Sequence, residues 1–532
     1  MKIFFTVILF CCLIWANAQD IPETFRNPIL PGFNPDPSIC RVEDDYYLVT
    51  SSFAWYPGLP IYHSKDLTNW KLIGHGIERS DQLDMSSVVE KNGIWAPTIR
   101  YHEGVFYIIT TCNTCGGNFY ITARNPAGPW SDPVWIEDAP GIDPSLFWDE
   151  DGKCYYTGNR WDIKYDDSWP GKCTIWIQEI NLKEQKLIGE PKMLIHGHAN
   201  NARYAEAPHI YKVNGRYLLM IGEGGTDENH SVTVHHSNSI FGPYVADQIN
   251  PILTHRHLGE DYPLQAIGHA DLVQTQYGEW WSVVLGKRTV NNKVPLGRET
   301  FLCKVDFEGE TPIFNAGYGK VLLEQQRPNL PWTPWNEKKV LHHGDKSWYS
   351  VRAPRYPFYK LVGNKLEMQL MKESVDSLSA VPILLQRVTD HYFQAMTKLS
   401  MKTTLANEHA GLILYRATDN YYFLAKEKST VALYRKIEGE KQLVEQVPYD
   451  KADVYFQVKV TGLDIKFYFG ASETQMKPIG KRQDLTALAD SPINRFNGLG
   501  VGLYASSNNR LSKNKAVYKE FVYRKLKNES KK

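Results

Sequence analysis

The amino-acid sequence predicts an all-β protein, a five-bladed β-propeller followed by an antiparallel β-sandwich. Three observations predict it. One short phrase recurs five times in the first part of the chain, helical periodicity is nearly absent there, and a run of short strands without the phrase follows.

The five copies can be read directly. Asp36-Pro37-Ser38-Ile39 leads to Tyr46-Tyr47-Leu48-Val49, and Ala96-Pro97-Thr98-Ile99 leads to Phe106-Tyr107-Ile108-Ile109. Asp143-Pro144-Ser145-Leu146 leads to Cys154-Tyr155-Tyr156, and Ala207-Pro208-His209-Ile210 leads to Tyr217-Leu218-Leu219-Met220. His269-Ala270-Asp271-Leu272 leads to Trp280-Trp281-Ser282-Val283. Each copy is a strand, a short polar turn such as Glu43-Asp44-Asp45 or Asn214-Gly215, and a second strand rich in aromatic and β-branched residues, which is the pattern of a hairpin. The copies recur every roughly 45 to 65 residues, a spacing that suits four-stranded blades better than solenoid repeats. Further strand pairs follow most copies, and the lack of helical periodicity argues against a doubly wound or TIM-barrel fold.

The propeller should end near Leu323. The stretch from Arg327 to Asn336, with three prolines and the tryptophans Trp332 and Trp335, has the composition of a packed connector. Beyond it, Ala410–Tyr415, Tyr421–Leu424, Val431–Tyr434, Val454–Val458 and Ile465–Tyr468 are short strands separated by turn signals, as an antiparallel sandwich requires. The basic tail from Lys525 is expected to fray. At the other end, Met1-Lys2, the apolar run Ile3–Trp15 and Ala16-Asn17-Ala18 have the three parts of a secretory signal peptide. The organisation expected is therefore a signal peptide at 1–18, a propeller at 19–326, a linker at 327–337 and a sandwich at 338–532, in a chain exported freely soluble, to the periplasm. No later segment has the ~18 unbroken apolar residues of a membrane span.

Lys+Arg 60 against Asp+Glu 59 leaves no basic stripe, which disfavours nucleic acid and favours a neutral ligand. Aromatic residues make up 13% of the chain, with 15 Trp, a composition that suits sugar faces and equally suits any large β-protein. Cys112-Asn113-Thr114-Cys115 lacks the second pair or His cluster that zinc spacing needs, so a local disulfide or free thiols are expected there.

In a propeller the first strand of each blade lines the central channel, so the residues opening the five phrases should meet at one mouth. They are Asp36, Trp95-Ala96, Asp143, Glu206 and His269. An Asp before Pro is often only a turn former; three acids at the heads of three repeats are harder to dismiss. Crowded carboxyls spread their pKa values, and acid/base hydrolysis of a glycosidic bond uses that spread, one group protonated to donate and another ionised to activate water.

On these residues the chain resembles glycoside hydrolase family 43, the β-xylosidases and α-L-arabinofuranosidases, over essentially its whole mature length. Asn27–Ser38 is similar to the family's general-base motif, Ile142–Ser145 to the segment of its auxiliary Asp, and Glu206–His209 to its general-acid motif. The resemblance implies that Asp36 is the base, Glu206 the acid, and Asp143 the group that tunes and orients that acid. It further implies that Glu223-Gly224-Gly225-Thr226 with His230 forms a pocket loop carrying Thr226, and that Phe53, Trp95 and Arg298 hold the terminal sugar. His269 matches a central histidine that in many members faces a structural calcium or its waters; no cofactor is required by the chemistry. The second region resembles the concanavalin-like sandwich of the xylosidase branch, which lends an aromatic to the pocket, with Phe496 and Tyr504 as candidates.

The activity implied is inverting exo-release of terminal α-L-arabinofuranosyl residues from plant hemicellulose or its oligosaccharides, with β-D-xylosidase or dual action as the alternative. A retaining fructan hydrolase would need an Asn-Asp-Pro-Asn nucleophile motif where this chain reads Asn34-Pro35-Asp36-Pro37. A non-catalytic sugar-binding propeller would have no use for three acids at the heads of its repeats.

Overall fold

The computed structural model describes residues 21–161, 168–335, 345–403, 405–489 and 496–527. The expected signal peptide lies outside the described residues, as does the end of the basic tail. The described chain is all-β; its one helical turn is the 3-10 segment Leu485–Leu488, capped by the Asp484 side chain. No described helix is long and apolar enough to cross a membrane.

Residues 38–314 form five successive antiparallel sheets, each with four strands in chain order and the fourth with one short extra strand. The strand heading each is Ser38–Val42, Gly93–His102, Ile142–Trp148, Glu206–Val213 and Leu264–Gln274. All five expected phrases therefore fall on the first strand of a sheet. The hairpins close as their sequences dictate: Asn214 (φ 49°) and Gly215 (φ 82°) sit between the paired Val213 and Arg216, and Glu103 (φ 48°) and Gly104 (φ 82°) between His102 and Val105. Two consecutive positive φ values give the turn whose twist matches that of the strands.

The head strands pack on one another in a closed succession, first on second, on to the fifth, and fifth on first. Side chains fasten neighbours together. Thr98 Oγ1 donates to the Pro144 carbonyl (2.9 Å) and Ser145 Oγ to the Pro208 carbonyl (2.6 Å). Tyr211 OH donates to Asp271 Oδ1 (2.5 Å), and Ser38 Oγ donates to Asp271 Oδ2 (2.6 Å), joining fifth sheet to first. Arg100 reaches from the second sheet to the same carboxylate (2.9 Å), which with its cluster of donors is held far below the usual carboxylate range. The N-terminal segment completes the ring: Thr24–Arg26 pairs with Glu324–Gln326, and the Asn27 side chain exchanges hydrogen bonds with the Leu302 backbone.

The C-terminal region is a sandwich of a seven-stranded and a six-stranded antiparallel sheet. The strands expected from sequence fall within His409–Ala417, Asn420–Lys426, Thr430–Ile437, Asp453–Thr461 and Asp464–Gly470. The outer strands were not legible as such; Glu440–Pro448, for instance, is exposed and mostly polar. One apolar cluster crosses the junction, with Phe33, Trp55 and Ile94 of the ring packed among Tyr349, Leu385 and Tyr415. Within it lies a buried ion pair, Arg352 Nη2 to Glu90 Oε1 (2.7 Å), whose carboxylate also accepts from Tyr415 OH and Thr418 Oγ1. Cys112 and Cys115 form the local disulfide that was one of the two expected states, and Cys40, Cys154, Cys173 and Cys303 are buried free thiols.

Candidate active site

The head of every inner strand is irregular in the same way. Asp36, Ala96, Asp143, Ala207 and His269 all have left-handed backbones, with φ of 52°, 32°, 55°, 53° and 48°. In the last four sheets the pairing with the second strand slips at that point, between Trp95 and Thr98, Ile142 and Ser145, Glu206 and His209, and Gly268 and Asp271. A bulge bends the strand and re-aims its side chains, and a strained left-handed residue persists only where its surroundings fix it. The strand heads thereby bring Asp36, Trp95, Asp143, Glu206 and His269 to the mouth of the ring. The acids are not strictly equivalent: Asp36 and Asp143 are themselves the left-handed residues, whereas Glu206 stands one position before its own, aligned with Trp95.

The result is one cavity of about 330 Å³. Asp36, Asp143, Glu206, Phe53, Trp95, Thr226, His269 and Arg298, the eight residues singled out from sequence, all line it. Two members of the expected pocket loop do not. Glu223 turns inward, its carboxylate accepting from the His198 backbone N–H (2.8 Å) and Thr233 Oγ1 (2.8 Å) and bonded to the His198 ring (2.6 Å). His230 is buried with Nδ1 against the Ala266 carbonyl. The pair supports the loop from beneath. Of the two sandwich aromatics, Phe496 lines the cavity, while Tyr504 is fully buried in the sandwich with its hydroxyl accepting from the Val375 N–H.

Sequence reasoning missed three wall residues. Trp161, half exposed at the rim, follows the strand Cys154–Arg160 and belongs to no repeated phrase. Tyr204, two residues before Glu206, packs against Gly225, where a Cβ would meet its ring at 3.1 Å. Asp227 is ion-paired to the buried Lys287. Only Tyr204 carried a signal, an aromatic just upstream of a candidate acid.

The three carboxyls differ in their partners. Asp36 is engaged at both oxygens, by Arg298 Nη1 on Oδ1 (2.6 Å) and Ser51 Oγ on Oδ2 (2.5 Å), with His269 Nδ1 4.0 Å away. Asp143 accepts the Ala207 N–H (3.1 Å) and is pushed up to about 7, first by burial and then by the charge of Asp36. Glu206 has no hydrogen-bond partner among the described residues and is held well above the usual carboxyl range by burial, then by Asp143 and Asp36. Burial holds the His269 imidazole below its ordinary value, which favours the neutral ring. Arg298 is itself fixed, its guanidinium over the rings of Phe53 (5.1 Å) and Phe496 (5.5 Å) and Nη2 donating to the Phe496 carbonyl (3.3 Å). Trp95 stands beside Phe53 (5.9 Å) and Phe496 (6.4 Å), with Nε1 donating to the Lys91 carbonyl.

Calcium takes six to eight oxygen ligands. Around His269 the described residues offer an imidazole and the Asp36 oxygens, already engaged by Arg298 and Ser51, and no described group of three or more His, Cys, Asp or Glu is placed to hold an ion. The donor set does not fit a direct calcium cage, and no step below passes through a metal.

An ion-paired carboxylate that shares an aromatic-walled cavity with a carboxyl held well above the usual range is the arrangement of the hydrolases that cleave sugar linkages with paired acids. The comparisons with known proteins fall within that class. The chain belongs to glycosyl hydrolases family 43, whose model matches residues 25–312, and a model of the β-xylosidase C-terminal concanavalin A-like domain matches residues 342–524. It is 37% identical over 519 residues to a xylosidase/arabinosidase of Butyrivibrio fibrisolvens, with 93% of this chain and 98% of that protein covered. It is 35% identical over 530 residues to the non-reducing end α-L-arabinofuranosidase BoGH43B of Bacteroides ovatus, covering 96% and 97%. Among solved structures, the xylan β-1,4-xylosidase of Bacillus halodurans C-125 superposes with a TM-score of 0.88 at 33% identity, over 94% of this chain and all of that one. The chain is thus similar to proteins named for both pentosides.

Proposed function

We propose that the protein is an inverting exo-glycosidase that releases terminal non-reducing α-L-arabinofuranosyl residues from plant hemicellulose or its oligosaccharides. The observation that carries this reading is the division between Asp36, ion-paired and doubly hydrogen-bonded, and Glu206, unpartnered among the described residues and held well above the usual carboxyl range, in one cavity. In the reaction Glu206 gives its proton to the glycosidic oxygen as that bond breaks. A water attacks the anomeric carbon from the other face and loses a proton to Asp36. Asp143, between them in the ring, sets the proton affinity of Glu206. Arg298, Phe53, Trp95, Thr226 and His269 hold the sugar.

We read the five sheets as the five blades of one propeller, spanning 19–326 and joined through 327–337 to the sandwich at 338–532, in a protein exported to the periplasm that requires no cofactor. Asp36 and Glu206 head non-adjacent sheets, which supports a separation of the ~6.5–9.5 Å kind that admits a water and inverts configuration. A β-D-xylosidase, or an enzyme of both activities, is the second reading, favoured by relatives named as xylosidases and by others that carry both names.

The experiment is to follow products from arabinoxylan, arabinan and xylo-oligosaccharides from the first minutes. Free arabinose with no early oligosaccharide is expected; xylose alone moves the assignment to the second reading, and early oligosaccharides from an unbranched polymer overturn exo-action. Proton NMR before mutarotation should show the anomer opposite to the bond cleaved, and a retained anomer would make Asp36 a nucleophile.

A further inference from the structure

Ser51 lies outside the cavity wall and outside every repeated phrase, and its side chain is fully buried. Its backbone N–H donates to the Pro35 carbonyl (3.0 Å), one residue before Asp36, and the next two residues, Ser52 and Phe53, both donate to the Ile94 carbonyl of the second sheet (3.3 and 2.9 Å). The hydroxyl is placed between two sheets. It receives the Ala96 N–H (2.6 Å), from the left-handed residue that aims Trp95, and lies 2.5 Å from Asp36 Oδ2.

These contacts determine where the hydroxyl proton points. The Ala96 amide can only donate, so it occupies a lone pair of Oγ, and the single Ser51 hydrogen is left to the nearest acceptor, Asp36 Oδ2. A hydrogen bond to a charged acceptor is shorter and stronger than a neutral one. The other oxygen, Oδ1, is held by Arg298 from the fifth sheet. A carboxylate gripped at both oxygens from two directions cannot turn about its own axis.

We propose that Ser51 is a positioning residue for the reaction: it fixes the plane of the Asp36 carboxylate and ties that orientation to the strand head that carries Trp95. The inference rests on Asp36 being the general base. Alanine at position 51 would leave two buried groups, the Ala96 N–H and Asp36 Oδ2, without a partner. Among the described residues it would leave Arg298 as the one hydrogen-bonding anchor of the base.

The test compares Ser51→Ala, Ser51→Thr and Asp36→Asn in the full-length protein. A nitrophenyl pentoside serves as substrate from pH 4 to 9, and a melting curve is recorded for each variant. For Ser51→Ala, kcat is expected to fall about 10- to 100-fold, the scale of a misplaced catalytic group, with KM changed less than about threefold. Ser51→Thr keeps the hydroxyl and should return most of the rate. A merely structural serine would lower the melting midpoint and leave the kcat of the folded fraction unchanged. The proposal is overturned if Ser51→Ala keeps kcat within twofold, if the loss lies wholly in KM, or if the fraction unfolded accounts for it. Should Thr fail to fold, Ser51→Ala alone decides by the same criteria. An inactive Asp36→Asn beside a normal Ser51→Ala removes this inference alone, whereas an active Asp36→Asn removes the base assignment and this inference with it.

Discussion

Glu206 and Asp36 share a cavity, yet their replacement should affect stability in opposite directions. Glu206→Gln and Asp36→Asn should each lower kcat about 10²- to 10⁴-fold, the usual worth of a general acid or base. Asp36→Asn also strips the charge facing the buried Arg298, and a buried ion left alone is destabilising, so its melting midpoint should fall. Glu206 behaves differently. Its folded-state pKa is raised above that of the unfolded chain, so its contribution to stability is fully present at low pH and is lost as pH rises through the folded value. Glu206→Gln should therefore melt higher than the wild type at pH 8, by on the order of 2 °C, with the gap closing towards pH 4. Equal midpoints at pH 8 would show that the site carries no such strain. The same sign governs catalysis: activity falls on the alkaline side as Glu206 loses its proton. Asp143→Asn removes a neighbouring negative charge and should move that limb of kcat/KM to lower pH, by about one unit, while lowering the rate.

The strand heads show why the repeated phrase has its composition. Its third residue is a fastener: Ser38, Thr98, Ser145, His209 and Asp271 occupy that place, and their side chains bond the neighbouring head strands or the Arg100 that links them. Its first residue takes the left-handed backbone that opens the bulge. At Ala207, with φ of 53°, glycine adopts the conformation freely and a β-branched side chain does so badly. Ala207→Gly is expected to keep kcat within about twofold, whereas Ala207→Val should lower both the melting midpoint and kcat, the latter at least tenfold as Glu206 is re-aimed. Assay and melting curves of the two side by side check this. These heads were legible in the sequence because they repeat, and with them all three acids. Phe53, Thr226 and Arg298, outside the phrase, came only through the family resemblance. Trp161, Ser51 and the choice of Phe496 over Tyr504 have no counterpart in the repeat and were not legible; they reach the site through contacts between segments far apart in the chain. Glu223 and His230 were read as part of the pocket loop through the same resemblance, but their side chains are taken by His198, Thr233 and the Ala266 carbonyl beneath the loop.

The sandwich is part of the site and not an appendage to it. Phe496 closes one wall and its carbonyl braces Arg298, while Arg352 grips Glu90 in the loop that leads to Trp95. Arg352→Met should lower the melting midpoint markedly, since losing one partner of a buried pair costs about 3–5 kcal/mol, and should raise KM as Trp95 loosens. An unchanged midpoint would mean that the junction is held by apolar packing alone. The ring has a further consequence for the life of the molecule. Asp36 and the guanidinium that grips it are separated by 262 positions in sequence, and the Arg298 backbone carbonyl in turn accepts the Asn34 N–H. A chain still being synthesised possesses its three acids by residue 206 but lacks Arg298, the second grip on Asp36, until the fifth sheet arrives, and lacks its last wall until Phe496 emerges. Ribosome-stalled chains ending near residue 290 should release no pentose, chains ending near 330 little, and full-length chains should be active. Enzymatic competence is thus acquired late, so the rise of activity timestamps the moments at which the nascent chain joins its beginning to its end.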